Sequence, residues 1–417
     1  MNLINISAIL VTLAALFSFL NHRFLKLPAA IGIMLTALLF SLILMGLEAL
    51  GLPFRSIASH ILDGIDFNTM VLQGMLGFLL FAGALHVNLD DLLENRWPIL
   101  SMASIGVVLC TFLVGTFVWL VLNALGWPLP YIYCLLFGAL ISPTDPIAVL
   151  GILKSAGAPK NLESKITGES LFNDGMGVVV FLALLGFVSG PHPSVWQIGG
   201  LFIVEVIGGI LLGLLLGYLC YLFLKQVDQY QVEIPITLAI VMGGYALSHV
   251  LHVSGPLAMA ICGLMIGNRG RNLAMSENTR HHLDTFWELL DEILNAILFV
   301  LIGLEILVIS IVGQGLLAGI VAIPLVLLAR LISIGVPISV LRRTHFFTAN
   351  SIKIMTWAGL RGGISIALAL ALPEGVYRNQ IILMTYVVVI FSILIQGLTI
   401  KPVLQHWVPD LSPPRKN

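Results

Sequence analysis

One short stretch of the chain carries several side chains that could bind a cation or a proton. Residues 167–177 read Thr-Gly-Glu-Ser-Leu-Phe-Asn-Asp-Gly-Met-Gly and run directly into a long apolar segment. On a helix, Ser170 and Asp174 lie four residues apart and share a face, and Glu169 and Asn173 form the neighbouring pair. A carboxylate inside a membrane is costly, so it is rare without a function.

Asp174 is the side chain that we predict to exchange a proton for a metal ion. A carboxylate holds either a proton or a cation, so the two compete for one group. Hard cations such as Na⁺ prefer oxygen ligands, and we expect these from Asp174, the Ser170 hydroxyl, Thr144 and freed backbone carbonyl groups. The alternative is that Asp174 is only a polar group hydrogen-bonded between packed helices.

Two irregular segments interrupt the apolar sequence. One reads Ser-Pro-Thr-Asp-Pro at 142–146, and the other reads Gly-Leu-Arg-Gly-Gly at 359–363. Proline removes a backbone donor and clashes with the preceding turn, whereas glycine weakens a helix. The pattern predicts two broken helices rather than simple packing kinks. The predicted residues of the breaks are Pro143, Pro146, Gly359, Arg361, Gly362 and Gly363.

Charged side chains near the breaks have predicted partners. Asp145 could stabilise the N-terminal ends of half-helices, and Arg361 could stabilise their C-terminal ends unless it lies at the cytoplasmic surface. A buried Glu169 needs a cation, and Arg330 in another apolar segment is the candidate. We expect this ion pair to be structural. The alternative is that Arg330 extends to the membrane interface.

Composition identifies the class of protein. Hydrophobic residues make up 59% of the 417 residues and charged residues 10%, against about 25% charged in a typical soluble domain. Long unbroken apolar segments indicate an all-α polytopic membrane protein rather than a barrel. The net charge of −1 does not suggest nucleic acid, and the four cysteines form no metal-binding or disulfide pattern. We expect no cofactor.

Hydropathy predicts thirteen transmembrane helices. Most match the roughly 20 residues that cross a membrane. Their approximate limits are 3–21, 28–47, 67–87, 97–124, 130–152, 163–189, 196–224, 233–253, 256–268, 286–311, 315–341, 350–373 and 379–403.

The distribution of positive charge predicts the orientation. If the N-terminus lies outside and thirteen spans alternate, sixteen of the twenty Lys and Arg residues fall on the cytoplasmic side. Only Arg55 and Arg378 fall outside, which is the asymmetry expected of membrane proteins. The sequence therefore predicts an external N-terminus and a cytoplasmic C-terminus.

Thirteen spans divide as six, one and six within a single transmembrane unit, 1–417. Units offset by seven spans have opposite orientation, as in the inverted repeats of secondary transporters. The predicted broken helices are spans five and twelve, which occupy equivalent positions and could cross at the membrane centre. The predicted parts are a first repeat at 1–189, a linker helix at 196–224, a second repeat at 233–403 and a short cytoplasmic tail at 404–417.

These motifs resemble the monovalent cation/proton antiporter family, and the NhaP-type bacterial branch related to animal sodium/proton exchangers in particular. The resemblance rests on residues 142–146, 168–175, 329–330 and 359–363, in that order. It implies a homodimer among the lipids of a bacterial inner membrane, with a core domain moving against a dimerisation domain. It implies exchange of Na⁺ or Li⁺ for H⁺ by alternating access. The family's site residues correspond to Thr144, Asp145, Glu169, Ser170, Asn173, Asp174 and Arg330.

The chain departs from its relatives at one acidic position. Relatives often carry an acidic residue in a Leu-Phe-Glu-like motif of the third span, where this chain has Ala82. Asn173 stands where electrogenic relatives have aspartate. Because Asn173 cannot titrate, we expect electroneutral 1:1 exchange.

Three other functions fit the sequence less well than Na⁺/H⁺ exchange does. A K⁺/H⁺ antiporter of the same fold is the main alternative. A cation channel is remote because nothing in the sequence resembles a selectivity filter. An intramembrane aspartyl protease is also remote, because neither Asp145 nor Asp174 lies in the Gly-x-Gly-Asp setting of such enzymes.

Overall fold

The computed structural model describes residues 3–52, 67–145, 149–151, 153, 157–189, 195–270, 275–309 and 313–407. Within these ranges all regular secondary structure is helical, as the sequence predicts. The first eight helices are α1 (Leu3–Leu20), α2 (Ala29–Ala49), α3 (Leu76–Leu85), α4 (Leu89–Glu94), α5 (Arg96–Ser101), α6 (Val107–Ala124), α7 (Tyr131–Ile141) and α8 (Lys160–Ser189). The remaining helices are α9 (Val195–Leu224), α10 (Tyr230–Leu251), α11 (Gly255–Met265), α12 (Glu277–Glu305), α13 (Gly313–Leu341), α14 (Ser351–Ala358), α15 (Gly363–Leu370), α16 (Arg378–Phe391) and α17 (Gly397–Trp407).

Several helices contain wider, π-helical turns, either between two α-helical segments or at a helix end. The wider turns occupy Asn21–Leu25, Thr69–Met75, Met102–Gly106, Ile266–Gly270 and Ser392–Gln396. Where such a turn lies between two helices, the joined segment is longer than either helix alone. α16 and α17, for example, form one continuous helix over Arg378–Trp407. Such turns often occur at functional sites.

Eight helices among the described residues are long and apolar enough to cross a membrane. Three shorter apolar helices occupy Thr69–Leu85, Tyr131–Ile141 and Gly255–Asn268. Large apolar side chains such as Ile203, Ile207 and Leu211 are exposed along α9. A soluble monomer rarely exposes so continuous an apolar surface. The chain is a multi-pass membrane protein.

Two clusters of buried apolar side chains hold the helices together. The larger combines α1, α2, α6, α7 and α13–α17 with the C-terminal half of α12. The smaller combines α3, α9, α10 and α11 with the N-terminal half of α12. α8 contributes Phe181 to the larger cluster and Leu171 to the smaller. Both α8 and α12 therefore contribute to the two clusters, and polar side chains on them lie deep in the protein.

Both irregular segments interrupt helices. α7 ends at Ile141, residues 143–145 are not helical, and helical structure is present again at 149–151. Pro146, the second predicted proline of this break, lies outside the described residues. In the second segment, α14 ends at Ala358 and α15 begins at Gly363.

Some helix limits differ from those that hydropathy predicts. α12 begins at Glu277 rather than near 286. The Ser276 side chain accepts a hydrogen bond from the Thr279 amide and caps this helix, whose first turns are amphipathic and invisible to a hydropathy scan. α17 also runs past the predicted limit at 403, to Trp407.

Candidate functional site

α8 carries the central polar side chains into the protein interior. Asp174 is 4% exposed, and Ser170 and Asn173 are buried beside it. α8 approaches its neighbours closely because its motif contains glycines. A Cβ placed on Gly177 would lie 2.9 Å from Pro143 Cδ. Glycine at 177 thus lets the first break pack directly against the helix that carries Asp174.

Thr144 links the first break to α8. Its hydroxyl lies 3.0 Å from the Ser170 hydroxyl and accepts a hydrogen bond of 2.7 Å from the Asn173 amide group. The Thr144 backbone N–H donates in turn to the Asn173 side-chain oxygen at 3.2 Å. Asn173 therefore uses both ends of its amide to hold the break, and it places the Thr144 and Ser170 oxygens side by side.

The two breaks contact each other directly. The backbone N–H of Asp145 donates to the carbonyl oxygen of Leu360 at 2.8 Å. A Cβ placed on Gly362 would lie 2.8 Å from the Asp145 Cβ, and still closer to its carboxylate oxygen Oδ2. The Asp145 carboxylate thus sits against the residue that precedes α15. A negative charge is favoured at the N-terminus of a helix.

Arg361 lies near the C-terminal end of a helix, whereas Asp145 lies near an N-terminal end. Its Nη1 donates to the carbonyl oxygens of Ser142 and Pro143, at 2.6 and 2.9 Å. These carbonyls follow the C-terminus of α7, where a positive charge is favoured. Arg361 is buried, so it does not lie at the cytoplasmic surface, the other position considered for it.

Ser392 and Gln396 complete the second break, and no sequence motif marks either residue. The Ser392 hydroxyl accepts a hydrogen bond of 2.9 Å from the Arg361 backbone N–H and donates to the Gln396 side chain at 2.7 Å. Gln396 donates to the carbonyl oxygen of Trp357 at 3.1 Å. Both side chains belong to a π-helical turn. They pair backbone groups that the break leaves without helical partners.

Glu169 and Arg330 form a buried ion pair. Arg330 Nη1 lies 2.6 Å from Glu169 Oε1, and both side chains are almost fully buried. Arg330 therefore does not extend to an interface. A Cβ placed on Gly359 would lie 2.8 Å from Arg330 Nε, so glycine at this position leaves room for the guanidinium beside the second break.

A cavity of about 610 Å³, counted with the space at its mouth, opens beside Asp174. Its polar lining comes from Asp145, Asp174, Asn295 and Ser365. No sequence motif marks Asn295 or Ser365, because a single Asn or Ser within an apolar helix is ordinary. Ala82 is buried but is not among the lining residues. The remaining lining residues are Leu76, Leu79, Leu80, Gly83, Pro143, Leu171, Leu298, Gly362, Gly363 and Ile364.

The donor set suits a small hard cation. Carboxylate oxygens of Asp174 and Asp145 adjoin the cavity, and the hydroxyls of Ser170 and Thr144 lie together at the base of the first break. These are oxygen ligands of the kind that alkali and alkaline-earth ions prefer. Because one carboxylate can bind either a cation or a proton, the arrangement can couple the binding of the two.

The fold resembles that of a solved transporter. The chain matches the sodium proton antiporter MjNhaP1 of Methanocaldococcus jannaschii with a TM-score of 0.75, over 99% of this chain and 100% of that one. The two sequences are 20% identical, so this match shows the fold alone.

Sequence comparison gives closer relatives. The chain is 50% identical to the Na⁺/H⁺ antiporter NhaP of Pseudomonas aeruginosa, over 97% of each sequence. It is 32% identical to the Na⁺/H⁺ antiporter NhaH of Halobacillus dabanensis, over 92% of this chain and 93% of that one. Residues 9–406 match the family described as "Sodium/hydrogen exchanger, transmembrane". The chain belongs to the sodium/hydrogen exchanger family.

Proposed function

We propose that this protein is a secondary active antiporter that exchanges Na⁺ for H⁺, and that Asp174 binds both ions in turn. The assignment of Asp174 as the ion-binding residue rests on its position. Asp174 is buried, it lines a cavity, and it sits on the helix whose Ser170 and Asn173 contact the first break. The relatives reported above are named as Na⁺/H⁺ antiporters, which supports Na⁺ as the cation.

In the proposed cycle, cation and proton occupy Asp174 at different times. Sodium would bind to the Asp174 carboxylate with the Ser170 and Thr144 hydroxyls, and Asp145 would contribute negative charge nearby. Protonation of Asp174 would release the cation. Alternating access then presents the site to each side of the membrane, driven by the ion gradients alone, so no cofactor is required.

The proposed stoichiometry is one Na⁺ for one H⁺. Asn173 is neutral and hydrogen-bonded at both ends of its amide to Thr144, which leaves Asp174 as the titrating member of the pair. An electroneutral cycle draws nothing from the membrane potential, which is worth ~2.3 kcal/mol per charge per 100 mV. It is driven instead by concentration gradients, at ~1.4 kcal/mol per pH unit.

We also propose the complete architecture expected from the sequence. It has thirteen spans in a 6+1+6 inverted repeat, with the N-terminus outside and the C-terminus in the cytoplasm of a bacterial cell. Two interrupted helices joined at their breaks support this arrangement, because paired broken helices are typical of inverted-repeat transporters. A homodimer in the lipid of the inner membrane completes the proposal.

The other functions considered gain no support. None of the relatives reported above is named for K⁺/H⁺ exchange. A channel requires a continuous pore, whereas the cavity here is lined by the buried side chains of Asp174, Asn295 and Ser365. An aspartyl protease requires two cooperating carboxylates. Asp145 instead lies against Gly362 at the start of α15, which is a position suited to a helix terminus.

Cation-induced dequenching of a ΔpH-sensitive dye in everted vesicles tests the proposal. Na⁺ and Li⁺ should dequench the dye strongly, and K⁺ only weakly. Asp174→Ala should abolish the response, whereas Asp90→Ala, which removes an exposed carboxylate at the start of α4, should retain it. A response to K⁺ alone would contradict the proposed ion, and full exchange by Asp174→Ala would contradict the proposed site.

A further inference from the structure

We propose that Asn295 and Ser365 form a second cation subsite beside Asp145, where an arriving monovalent cation exchanges hydration water for protein oxygens before it reaches Asp174. The inference rests on the proposed Na⁺/H⁺ exchange and adds a step to it. Both residues line the cavity that Asp145 and Asp174 share.

Asn295 is the first observation. It is 5% exposed, and neither its Nδ2 nor its Oδ1 has a hydrogen-bond partner among the described residues. A buried side-chain amide without partners is unfavourable, and native proteins rarely keep one without a reason. Asn173 shows the ordinary case, since both ends of its amide are bonded to Thr144. A cation bound at Oδ1 would remove the penalty for that oxygen.

Ser365 is the second, independent observation. It lies in the first turn of α15, it is almost fully buried, and its hydroxyl has no hydrogen-bond partner in the described part of the chain. Other buried serines among the described residues have a hydrogen-bond partner for the hydroxyl oxygen. Ser333, for example, donates to the carbonyl oxygen of Arg330 at 3.1 Å. The Ser365 hydroxyl thus remains available to a ligand in the cavity.

The packing of α12 against α15 brings these groups to one place. A Cβ placed on Gly363 would lie 2.5 Å from Leu298 Cδ1, so α12 contacts the start of α15 closely. Leu298 follows Asn295 by three residues, and such residues share a helix face. Gly362, the neighbour of Gly363, contacts the Asp145 carboxylate. An amide, a hydroxyl and a carboxylate therefore border the same space.

Asp291 extends this polar surface along α12. It lies one turn before Asn295, on the same face. Its carboxylate is close to the Asn295 amide, although no contact between them meets the geometry of a hydrogen bond, and it interacts electrostatically with Asp145. Its Oδ1 has no hydrogen-bond partner among the described residues. When Asp291 is ionised, its negative charge raises the local concentration of cations. We therefore assign Asp291 to attraction of the cation, and Asn295 with Ser365 to its binding.

The chemistry favours a monovalent ion. The subsite offers two neutral oxygens and the single negative charge of Asp145, which balances one alkali cation. A divalent ion such as Ca²⁺ takes six to eight oxygens, commonly with several carboxylates. Neutral ligands also allow rapid release, so the cation can move on to Asp174 while water returns to Asn295 and Ser365.

Transport kinetics of Asn295→Ala test the inference. In the dye assay, the half-saturating Na⁺ concentration should rise about fivefold, the effect expected from loss of one ion-dipole contact. The fold increase in the half-saturating concentration should exceed any fold decrease in the maximal rate. The ratio of the half-saturating Li⁺ concentration to the half-saturating Na⁺ concentration should also change. Asn123→Ala is the matched control, because Asn123 is exposed and its side chain donates to the carbonyl oxygen of Trp119 in its own helix. This variant should match the unmodified protein.

Ser365→Ala provides a second test that does not depend on the folding of Asn295→Ala. It should raise the half-saturating Na⁺ concentration about threefold. Ser104→Ala is its control, since Ser104 bonds to the carbonyl of Leu100 within its own helix. Gel filtration in detergent confirms that each variant is folded.

The outcomes separate this inference from the proposed function. If Asn295→Ala and Ser365→Ala keep unmodified half-saturation for Na⁺ and Li⁺ while Asp174→Ala is inactive, the subsite is wrong and the exchange site stands. If only Ser365→Ala can be purified and it behaves as unmodified, the subsite is also overturned. If the unmodified protein shows no Na⁺-dependent exchange, both proposals fail.

Discussion

Arg361 Nη1 donates a hydrogen bond of 2.6 Å to the carbonyl oxygen of Ser142, so the second broken segment neutralises the end of the first. The converse contact also exists, because the Asp145 carboxylate of the first segment lies against Gly362, at the start of α15. The second break thus supplies a positive charge at the C-terminus of α7, and the first break supplies a negative charge at the N-terminus of α15. The reciprocal arrangement lets two interrupted helices remain buried.

Loss of the Arg361 guanidinium should destabilise the protein strongly. Arg361→Ala leaves the carbonyl oxygens of Ser142 and Pro143 without their charged donor, and each buried unpaired group costs about 1–3 kcal/mol. We expect the free energy of unfolding to fall by about 3 kcal/mol, measured as a lower melting temperature in detergent.

Arg378→Ala is the matched control. Arg378 also donates to two backbone carbonyls, those of Leu370 and Leu372, but its side chain is 21% exposed and water can replace it. Its loss should cost less than half as much. Equal melting temperatures for the two variants would show that burial of the Arg361 contacts contributes nothing.

The Glu169–Arg330 ion pair should matter more to stability than its exposed counterpart. Glu169→Ala leaves the Arg330 guanidinium buried and unpaired, which costs about 3–5 kcal/mol. The pair Glu374–Arg378, at 3.1 Å with Glu374 87% exposed, offers a control. Glu374→Ala should change stability by about 0–1 kcal/mol. Thermal unfolding of both variants in detergent measures the difference, and a stable Glu169→Ala would refute a structural role for the pair.

The sequence predicted the polar groups of the site better than their surroundings. Asp174, Ser170 and Thr144 were selected because ionisable or hydroxyl groups are conspicuous in an apolar segment. The contact of Arg361 with Ser142 joins residues that lie far apart in the chain, so no local pattern could predict it. Ser392 and Gln396 could not be predicted because their hydrogen bonds depend on a π-helical turn. Asn295 could not be predicted because its lack of hydrogen-bond partners results from tertiary packing.

The charge moved per cycle should depend on Asn173. Asn173→Asp keeps an oxygen that can accept from the Thr144 backbone N–H and adds a second titratable carboxylate next to Asp174. We expect an inside-negative potential to alter the exchange rate of this variant and to leave the unmodified protein unaffected. Proteoliposomes clamped with K⁺ and valinomycin make the measurement. Voltage-dependent exchange by the unmodified protein would contradict 1:1 stoichiometry.

Acidification should weaken Na⁺ binding by competition. If one proton and one Na⁺ compete for Asp174, the half-saturating Na⁺ concentration is constant at high pH. Below the pH at which the carboxylate is half protonated, it rises about tenfold for each unit that the pH falls, because a tenfold change in proton concentration shifts the competition by ~1.4 kcal/mol. Initial rates over a grid of Na⁺ concentration and equal internal and external pH provide the test. A half-saturating concentration that does not vary with pH would exclude a shared site.

The space beside Asp145 should tolerate no side chain at position 362. Gly362→Ala would place a methyl group within 2.8 Å of the Asp145 Cβ and nearer still to its carboxylate oxygen, so the carboxylate must move away from the start of α15. Because Asp145 also holds Leu360 through its backbone N–H, the displacement would disturb the junction of the two breaks. We expect exchange to fall at least about tenfold, since a loss of ~1.4 kcal/mol at the site is enough for that.

Gly83→Ala distinguishes this steric effect from a general intolerance of the cavity to larger residues. Gly83 lines the same cavity, but a Cβ placed there would meet nothing within 4 Å. It also lies inside α3, where alanine favours the helix over glycine by up to about 1 kcal/mol. Gly83→Ala should therefore be folded, at least as stable as the unmodified protein, and active in the dye assay. If both glycine variants lost exchange equally, the cavity would be sensitive to any added volume, and the contact between Gly362 and Asp145 would not explain the loss.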